Sequence, residues 1–255
     1  VTVPILLIKR GNNMNMFRSI FKSVIHRRDV ALFYAFAGLP ILVPILSKFL
    51  VGVKAEYTDN FLDFLGAALA TQDGIVLPVL LLSLIISAVF RDEIDSGILF
   101  LYKDLNRTRL FNAKIISLVV MYASYVLLTV LTSAIAYFGF LNASGKVVSD
   151  DWSNVQSTFL SIFATISINV IGILLVSTVS IKAKSLQAVL AGVFWSLFTT
   201  TAPLLIGVRY VVPNGYAKMS LDQPLLAWSL VVAITTFYTV ATYLKGRSNF
   251  EKLEF

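Results

Sequence analysis

The 255-residue sequence contains no cysteine and only one histidine, His26. Without cysteine, the chain has no disulfides, thiol nucleophiles or thiolate metal sites. A single histidine gives no basis for a histidine-based metal centre or a Ser-His-Asp triad, and its position beside Arg27 and Arg28 favours an interfacial basic residue. The sequence therefore predicts that this chain binds no metal and no cofactor of its own.

Charge is also scarce, since only 14% of the residues are charged and 57% are apolar, with a mean hydropathy of +0.82. Soluble domains usually carry about 25% charged residues. The composition therefore predicts an integral membrane protein. The net charge of +7 lies on no basic stripe of a soluble module, so we expect it to reflect orientation in a bilayer rather than nucleic-acid binding.

Catalytic signatures are missing from the sequence. It has no GxxxxGK phosphate loop, no HExxH, no GxSxG and no acidic pair inside a predicted span. Charged groups are nearly absent from the apolar runs, which disfavours an ion-coupled transporter because such proteins usually carry charges within the membrane. We therefore predict a non-catalytic membrane subunit that takes its energy from another subunit.

Six apolar segments have lengths near the roughly 20 residues that a membrane-spanning helix needs. They lie at about 31–51, 74–90, 113–140, 157–181, 186–206 and 224–244. The second is short unless it begins before Asp73, and we expect Pro40 and Pro44 to bend the first helix and Pro78 the second. Helical spacing of apolar residues from Met16 to Val30 predicts an amphipathic helix at the membrane surface. Residues 14–255 then form one all-α membrane domain, and residues 1–13 are an extension of unknown role, since Met14 is a plausible start.

Lysine and arginine are distributed unevenly between the predicted loops. With both termini and the loops after the second and fourth helices inside, 16 of the 21 basic residues lie inside. The acidic residues divide evenly, as expected when they contribute little to orientation. The count predicts cytoplasmic termini and places the loop between the second and third helices in the cytoplasm.

That loop is the longest polar interruption in the chain, Phe90 to Lys114, and it carries nine of the 35 charged residues. Within it the apolar block Ile98 to Tyr102 stands between charged flanks. Exposed apolar residues framed by charges commonly mark a docking surface. The alternative is that the block packs under the bundle as an interfacial helix, and periodicity alone does not separate the two.

The same loop resembles the corresponding loop in the permeases of type-2 ABC exporters. The loop of that family has an acidic residue, a Gly-Thr pair a few positions later, a leucine-rich turn, a Pro-x-Ser-Arg-like stretch and a lysine that opens the third helix. In this sequence Glu93 takes the acidic place, Gly97 and Ile98 take the Gly-Thr place, and Lys114 is the closing lysine. Ile98 departs from threonine, and the stretch Asp104-Leu105-Asn106 lacks the usual proline. The resemblance implies a coupling helix that contacts the ATPase subunit through Glu93, Asp95, Gly97, Ile98, Leu99, Leu101, Tyr102, Asp104, Arg107 and Arg109.

The resemblance also implies partners and a cellular location. In that family two permease chains, identical or related, work with two ABC ATPase subunits that bind ATP and magnesium. We therefore expect a multi-pass protein of the bacterial cell membrane. Its short outer connections resemble the branch that expels amphipathic peptides such as bacteriocins and toxins, although exporters of polysaccharides, lipids and drugs share the architecture.

Polar and small residues recur every four positions in two predicted spans. They form one face of the fourth helix (Ser157, Ser161, Thr165 and Asn169) and one of the fifth (Ala188, Gly192, Ser196 and Thr200, with Trp195 beside them). Small residues at this spacing more often serve close helix contact than substrate lining. Asn169 is costly in lipid, which makes it the strongest candidate for a buried polar contact.

Two other classes of protein remain open at the level of sequence. A secondary transporter would depend on an ion gradient and would not need an ATPase partner. A structural or assembly protein of the membrane would show no transport. Co-purification of an ATPase subunit would separate both from the exporter.

Overall fold

All regular structure in the described part of the chain is helical. The computed structural model describes residues 13–49, 60–97, 106–141 and 154–253. Its α-helices are α1 (Asn13–Ile25), α2 (Arg28–Ala35), α3 (Leu39–Phe49), α4 (Phe61–Gly74), α5 (Val76–Asp95), α6 (Arg107–Ala134), α7 (Val155–Lys182), α8 (Ser185–Thr201), α9 (Met219–Asp222) and α10 (Pro224–Glu251). A π-helix, Ile135–Leu141, continues α6, and short 3-10 turns cover Phe36–Gly38, Ala202–Leu204, Val208–Val211 and Pro213–Tyr216.

Four helical stretches of the described residues are long and apolar enough to cross a membrane: Arg107–Leu141, Val155–Lys182, Ser185–Leu204 and Pro224–Glu251. The pair α4 and α5 meets the same test together, which raises the count to five if they form one broken span. These stretches overlap the second to sixth predicted spans. The prediction of helical structure with several candidate membrane spans is therefore confirmed for the described residues, which give four or five such spans where six were predicted.

The first predicted span, 31–51, falls on three consecutive helical segments. Within the described residues, α2 has eight residues, a 3-10 turn follows over Phe36–Gly38, and α3 has eleven. Each is shorter than the roughly 20 residues that a single spanning helix needs. Residues 50 and 51, at the end of the prediction, lie outside the described part of the chain.

The interruption before Pro40 leaves backbone carbonyls that other helices bind. Proline has no N–H to donate to the carbonyl four residues earlier, here that of Phe36. The Gln72 amide of α4 donates to the Phe36 carbonyl at 3.0 Å, and the Thr132 hydroxyl of α6 donates to the Ala37 carbonyl at 2.5 Å. The break is thus compensated from neighbouring helices, as the bilayer requires.

Between α4 and α5 the chain bends by 67°. The bend lies at Ile75, whose φ of −83° and ψ of 121° are extended. The prediction that Pro78 bends the second helix agrees with this bend, because Pro78 has no N–H to donate to the carbonyl of Gly74, four residues earlier, where α4 ends. Pro78 itself stands in the first turn of α5, where a proline costs no intrahelical hydrogen bond.

The N-terminal helix α1 is shorter than the amphipathic helix predicted from Met16 to Val30. It ends at Ile25, and the extended Arg27 precedes α2. Val24 is buried and Ile20 packs against the core, whereas Arg18 and Lys22 are exposed. This two-sided pattern places the apolar face of α1 against α6.

Helix α7 is the centre of the bundle, and α4, α5, α8 and α10 all pack against it. At one end of the bundle, Phe90 of α5, Phe111 of α6 and Phe250 of α10 form a cluster of buried rings with centroids 5.6–6.1 Å apart. We call this the charged end, because the ion pairs of Arg27, Glu93, Lys114 and Arg247 lie beside these rings.

Many large apolar side chains on the outer helices face away from the bundle. Leu225 and Phe237 of α10 are 85% and 69% exposed, and Leu127 of α6 is 60% exposed. Only 11% of the 18-residue apolar segment of α10 is buried inside the bundle. Such surfaces are compatible with lipid or with another membrane protein, and they would be unfavourable in water.

The small residue Gly192 allows α8 to approach α5 and α7 closely. A Cβ atom at this position would lie 2.1 Å from Ser83 Oγ and 2.8 Å from Val176 Cγ2. We expect Gly192→Ala to destabilise the folded protein by about 1–3 kcal/mol through overpacking.

Thermal unfolding of the purified protein in detergent measures this effect. Gly139→Ala is the matched control, because a Cβ atom at Gly139 meets no atom within 4 Å. An equal unfolding temperature for the two variants would contradict the close packing of α8.

Candidate functional site

The charged end contains a buried ion pair between α5 and α6. Lys114 Nζ donates to Glu93 Oε2 and to the Val89 carbonyl, both at 2.7 Å, and lies 5.1 Å from the centroid of the Phe90 ring. The Lys114 side chain is only 1% exposed. Its charge is therefore balanced by a carboxylate, a carbonyl and a ring face, as a buried ammonium group requires.

This ion pair joins the two helices on either side of the predicted coupling loop. Helix α5 ends at Asp95, and Gly97, just beyond its cap Ser96, has a φ of +69° that suits glycine and an N–H that donates to the Ile94 carbonyl at 3.2 Å. Helix α6 begins after Asn106, whose side chain accepts from the Arg109 N–H at 3.3 Å. Local sequence therefore defines the point at which the loop leaves one helix and the point at which it enters the next.

Further polar contacts connect this region to other helices. Arg27, before α2, pairs with Asp92 at 3.6 Å. Arg107 donates to the Glu251 carbonyl at 2.8 Å and also to the Leu253 carbonyl, while the Glu251 carboxylate accepts from Thr108. Together with the Lys114–Glu93 pair, these separate contacts link the start of α2 to α5, α5 to α6, and α6 to the end of α10.

The predicted coupling residues fall partly within the described structure. Glu93 pairs with Lys114, and Asp95 pairs with Arg91 at 2.5 Å. Gly97 follows the end of α5, Arg107 binds the end of α10, and Arg109 is exposed. The remaining predicted coupling residues, Ile98, Leu99, Leu101, Tyr102 and Asp104, lie outside the described residues.

The polar residues predicted on α7 and α8 lie in different surroundings. Thr165, Gly192 and Ser196 are buried, Ser161, Asn169 and Trp195 are partly buried, and Thr200 is exposed. The Trp195 indole donates to the Ile168 carbonyl of α7 at 3.1 Å, and the Ser196 hydroxyl lies 3.4 Å from the Asp73 carbonyl. Gly192 and Trp195 thus contribute to helix packing, while Ser196 points to the bend between α4 and α5.

Asn169 makes a polar contact across this bend. Its Nδ2 atom donates to Asp73 Oδ1 at 3.0 Å and to the Thr165 carbonyl at 3.1 Å. Asn169 lies about 20 Å along α7 from Lys182, at 1.5 Å per residue. If α7 crosses the bilayer, the Asp73 carboxylate therefore lies well inside the apolar region.

Asp73 was not predicted as a site residue, because it lies at the edge of a predicted outer connection. A signal was present, since residues 64–90 form one largely apolar stretch interrupted by Gln72 and Asp73. The expectation that charges are nearly absent from the spans needs this exception. Asp73 belongs to the bent pair α4 and α5, which is itself a candidate span.

Two small cavities adjoin Asp73 and Asn169. The first, of about 20 Å³, is lined by residues of α2, α4, α5, α6 and α7, among them Phe33, Tyr122 and Tyr125. The second, also about 20 Å³, lies towards Trp195, Gly192 and Ser196. Each has room for about one water-sized group. We call the first the Asp73 cavity.

Comparison with known proteins identifies no family for this chain. No protein-family model matches it, and no curated protein matches it. Among the described residues there is no group of three or more histidine, aspartate or glutamate side chains that could hold a metal ion.

Proposed function

We propose that this chain is the membrane-spanning subunit of an ATP-driven ABC exporter in the bacterial cell membrane. The proposal includes a sixth span, formed by α2, the turn Phe36–Gly38 and α3 as one interrupted helix. Both termini and the loop between α5 and α6 then face the cytoplasm. The observation that carries the proposal is the buried pair of Glu93 and Lys114, the two charged residues that the sequence resemblance assigns to the flanks of a coupling helix.

The ion pair supports coupling because it makes the base of the loop rigid. A force on the loop between Gly97 and Asn106 would reach α5 and α6 together, since the pair and the rings of Phe90 and Phe111 hold these helices against each other. Through Arg27 and Arg107 the same force would reach α2 and α10. Transport domains move by switching between such packed arrangements of helices.

The proposal assigns the chemistry to partner subunits. Two ABC ATPase subunits would bind ATP and magnesium, and their closure would move the loop. A second permease chain, identical or related, would complete the pathway, and the exposed apolar face of α10 is available to lipid or to that chain. The cargo would be an amphipathic molecule, for which a bacteriocin or toxin peptide is the best candidate.

Co-purification tests this proposal. We expect the affinity-tagged chain, isolated in mild detergent, to bring a stoichiometric ATP-hydrolysing subunit with it. The double substitution Leu99→Ser and Leu101→Ser should reduce that association about tenfold or more, because apolar contacts at the centre of an interface contribute most of its binding energy.

Leu204→Ser is the control, since this leucine is 82% exposed and lies at the outer end of the fifth predicted span, far from the loop. Transport by the isolated chain without any ATPase would refute the exporter. So would a double variant that retains the ATPase as well as the control does.

A secondary transporter is the second candidate, and Asp73 is the observation that favours it. Ionisable side chains inside membrane spans commonly mark ion pathways. In that case transport would follow an imposed proton or sodium gradient in vesicles and would be insensitive to ATP. If the chain belongs to an exporter, transport in the same vesicles would instead require ATP and would be insensitive to the ion gradient.

A further inference from the structure

The Asp73 carboxylate has fewer partners than a charge at this depth requires. Within the described residues, Asn169 is the only side chain whose hydrogen bond to it is seen, and no lysine or arginine forms an ion pair with it. Lys114 and Glu93 show what this chain does elsewhere, where a buried charge has an opposite charge at 2.7 Å. An unpaired carboxylate inside a bundle is costly unless it takes up a proton or a cation joins it.

A second observation comes from Tyr125, which also lines the Asp73 cavity. Its side chain is only 4% exposed, and its hydroxyl has no hydrogen-bond partner of ordinary geometry in the described part of the chain. Buried hydroxyl groups in folded proteins are normally satisfied. An unsatisfied hydroxyl beside an unpaired carboxylate indicates a site that a polar, positively charged group completes.

The walls of the cavity favour an organic cation over a metal ion. The rings of Phe33 and Tyr125 stack with centroids 4.2 Å apart, Tyr122 lies 6.2 Å from Tyr125, and the other walls include Leu69 and Val79. Metal ions such as calcium take six or more oxygen ligands, whereas ammonium groups bind well to a carboxylate combined with aromatic faces. A volume of about 20 Å³ admits one ammonium head.

We propose that the Asp73 cavity binds a primary ammonium group of the transported molecule, with Asp73 as the counter-ion and Tyr125 as a hydrogen-bond acceptor. The remainder of that molecule would lie outside the cavity, which has room for the ammonium head alone. This assignment rests on the proposed export function only in calling the ligand a substrate. It defines the substrate class as amphipathic molecules with a primary amine.

Binding of hexylammonium tests this inference, with 1-hexanol as the neutral probe of equal chain length. The purified chain is placed in phosphatidylcholine nanodiscs at pH 7, and its tryptophan fluorescence is titrated, since Trp195 lines the adjoining cavity. We expect saturable binding of hexylammonium that is about tenfold or more tighter than that of hexanol. Equal affinity for the two probes would overturn the proposal.

Two variants test whether hexylammonium binds in the Asp73 cavity. Asp73→Asn should weaken hexylammonium binding about tenfold, to the level of hexanol, while Asp222→Asn, at an exposed acid of α9, should leave it unchanged. Tyr125→Phe keeps the ring and the packing and should weaken binding about threefold, so it decides the matter if Asp73→Asn does not fold. Unchanged affinity in Asp73→Asn or in Tyr125→Phe would refute this cavity as the site.

No ATPase is present in this experiment. A failure of hexylammonium to bind would therefore not affect the test of the exporter by co-purification. A failed co-purification would likewise not affect the test of the Asp73 cavity.

Discussion

Replacement of Glu93 by glutamine is expected to cost the folded chain about 3 kcal/mol of unfolding free energy, because it removes one partner of a buried ion pair. Lys114 is 1% exposed and would then have only neutral partners, namely the amide oxygen of the new glutamine, the Val89 carbonyl and the face of Phe90. Lys114→Met should be less destabilising, because the Glu93 side chain is 29% exposed and water can solvate its carboxylate. Thermal unfolding in detergent micelles measures both effects.

The double variant Glu93→Gln with Lys114→Met distinguishes a pairing effect from two separate losses. It should be clearly more stable than the sum of the single variants predicts, since neither charge is then left unpaired. Asp95→Asn is the matched control, because Asp95 pairs with Arg91 at the protein surface and such pairs contribute about 0.2–1 kcal/mol. If Glu93→Gln is as mild as Asp95→Asn, the pair does not hold α5 and α6 together.

The long helices could be predicted from the sequence because their apolar runs leave few alternatives. The runs at 113–140, 157–181 and 224–244 lie inside helices α6 with its π-helical extension, α7 and α10. Their polar ends were harder to place, since α10 continues to Glu251, well past the apolar run. Hydropathy detects the part of a helix that lies in lipid and not the turns beyond it.

The interruptions could not be placed in the same way. Pro78 indicated a bend in this span, but the chain turns three residues earlier, at Ile75, so the proline did not give the exact position. The turn at Phe36–Gly38 depends on Gln72 and Thr132, whose side chains come from distant helices. Tertiary contacts of this kind are invisible to a local pattern.

In the candidate sites, too, single residues could be recognised from the sequence, whereas their partners could not. Glu93 and Lys114 were both noticed in the sequence, but their pairing across 21 residues required the packing of α5 on α6. Asn169 was noticed for its polarity, and its partner Asp73 was missed because that residue was assigned to a connection. The apolar block of the loop lies outside the described residues, so its role in docking stays a prediction.

The second prediction with a large expected effect concerns the orientation of the chain in the membrane, and its result is all or none. The chain contains no cysteine, so a single introduced cysteine reports the side of the membrane on which it lies. Ser96 is exposed at the end of α5, beside the predicted coupling loop. Asp222 is exposed on α9, in a connection predicted to be outside, and serves as the control position.

Labelling of Ser96→Cys by a membrane-impermeant maleimide tests the central claim most directly, namely that the loop between α5 and α6 faces the compartment that contains ATP. We predict that Ser96→Cys is protected in intact cells and labelled in inverted membrane vesicles, and that Asp222→Cys shows the reverse. Labelling of Ser96→Cys from outside intact cells would contradict the orientation and, with it, the coupling to an ATPase.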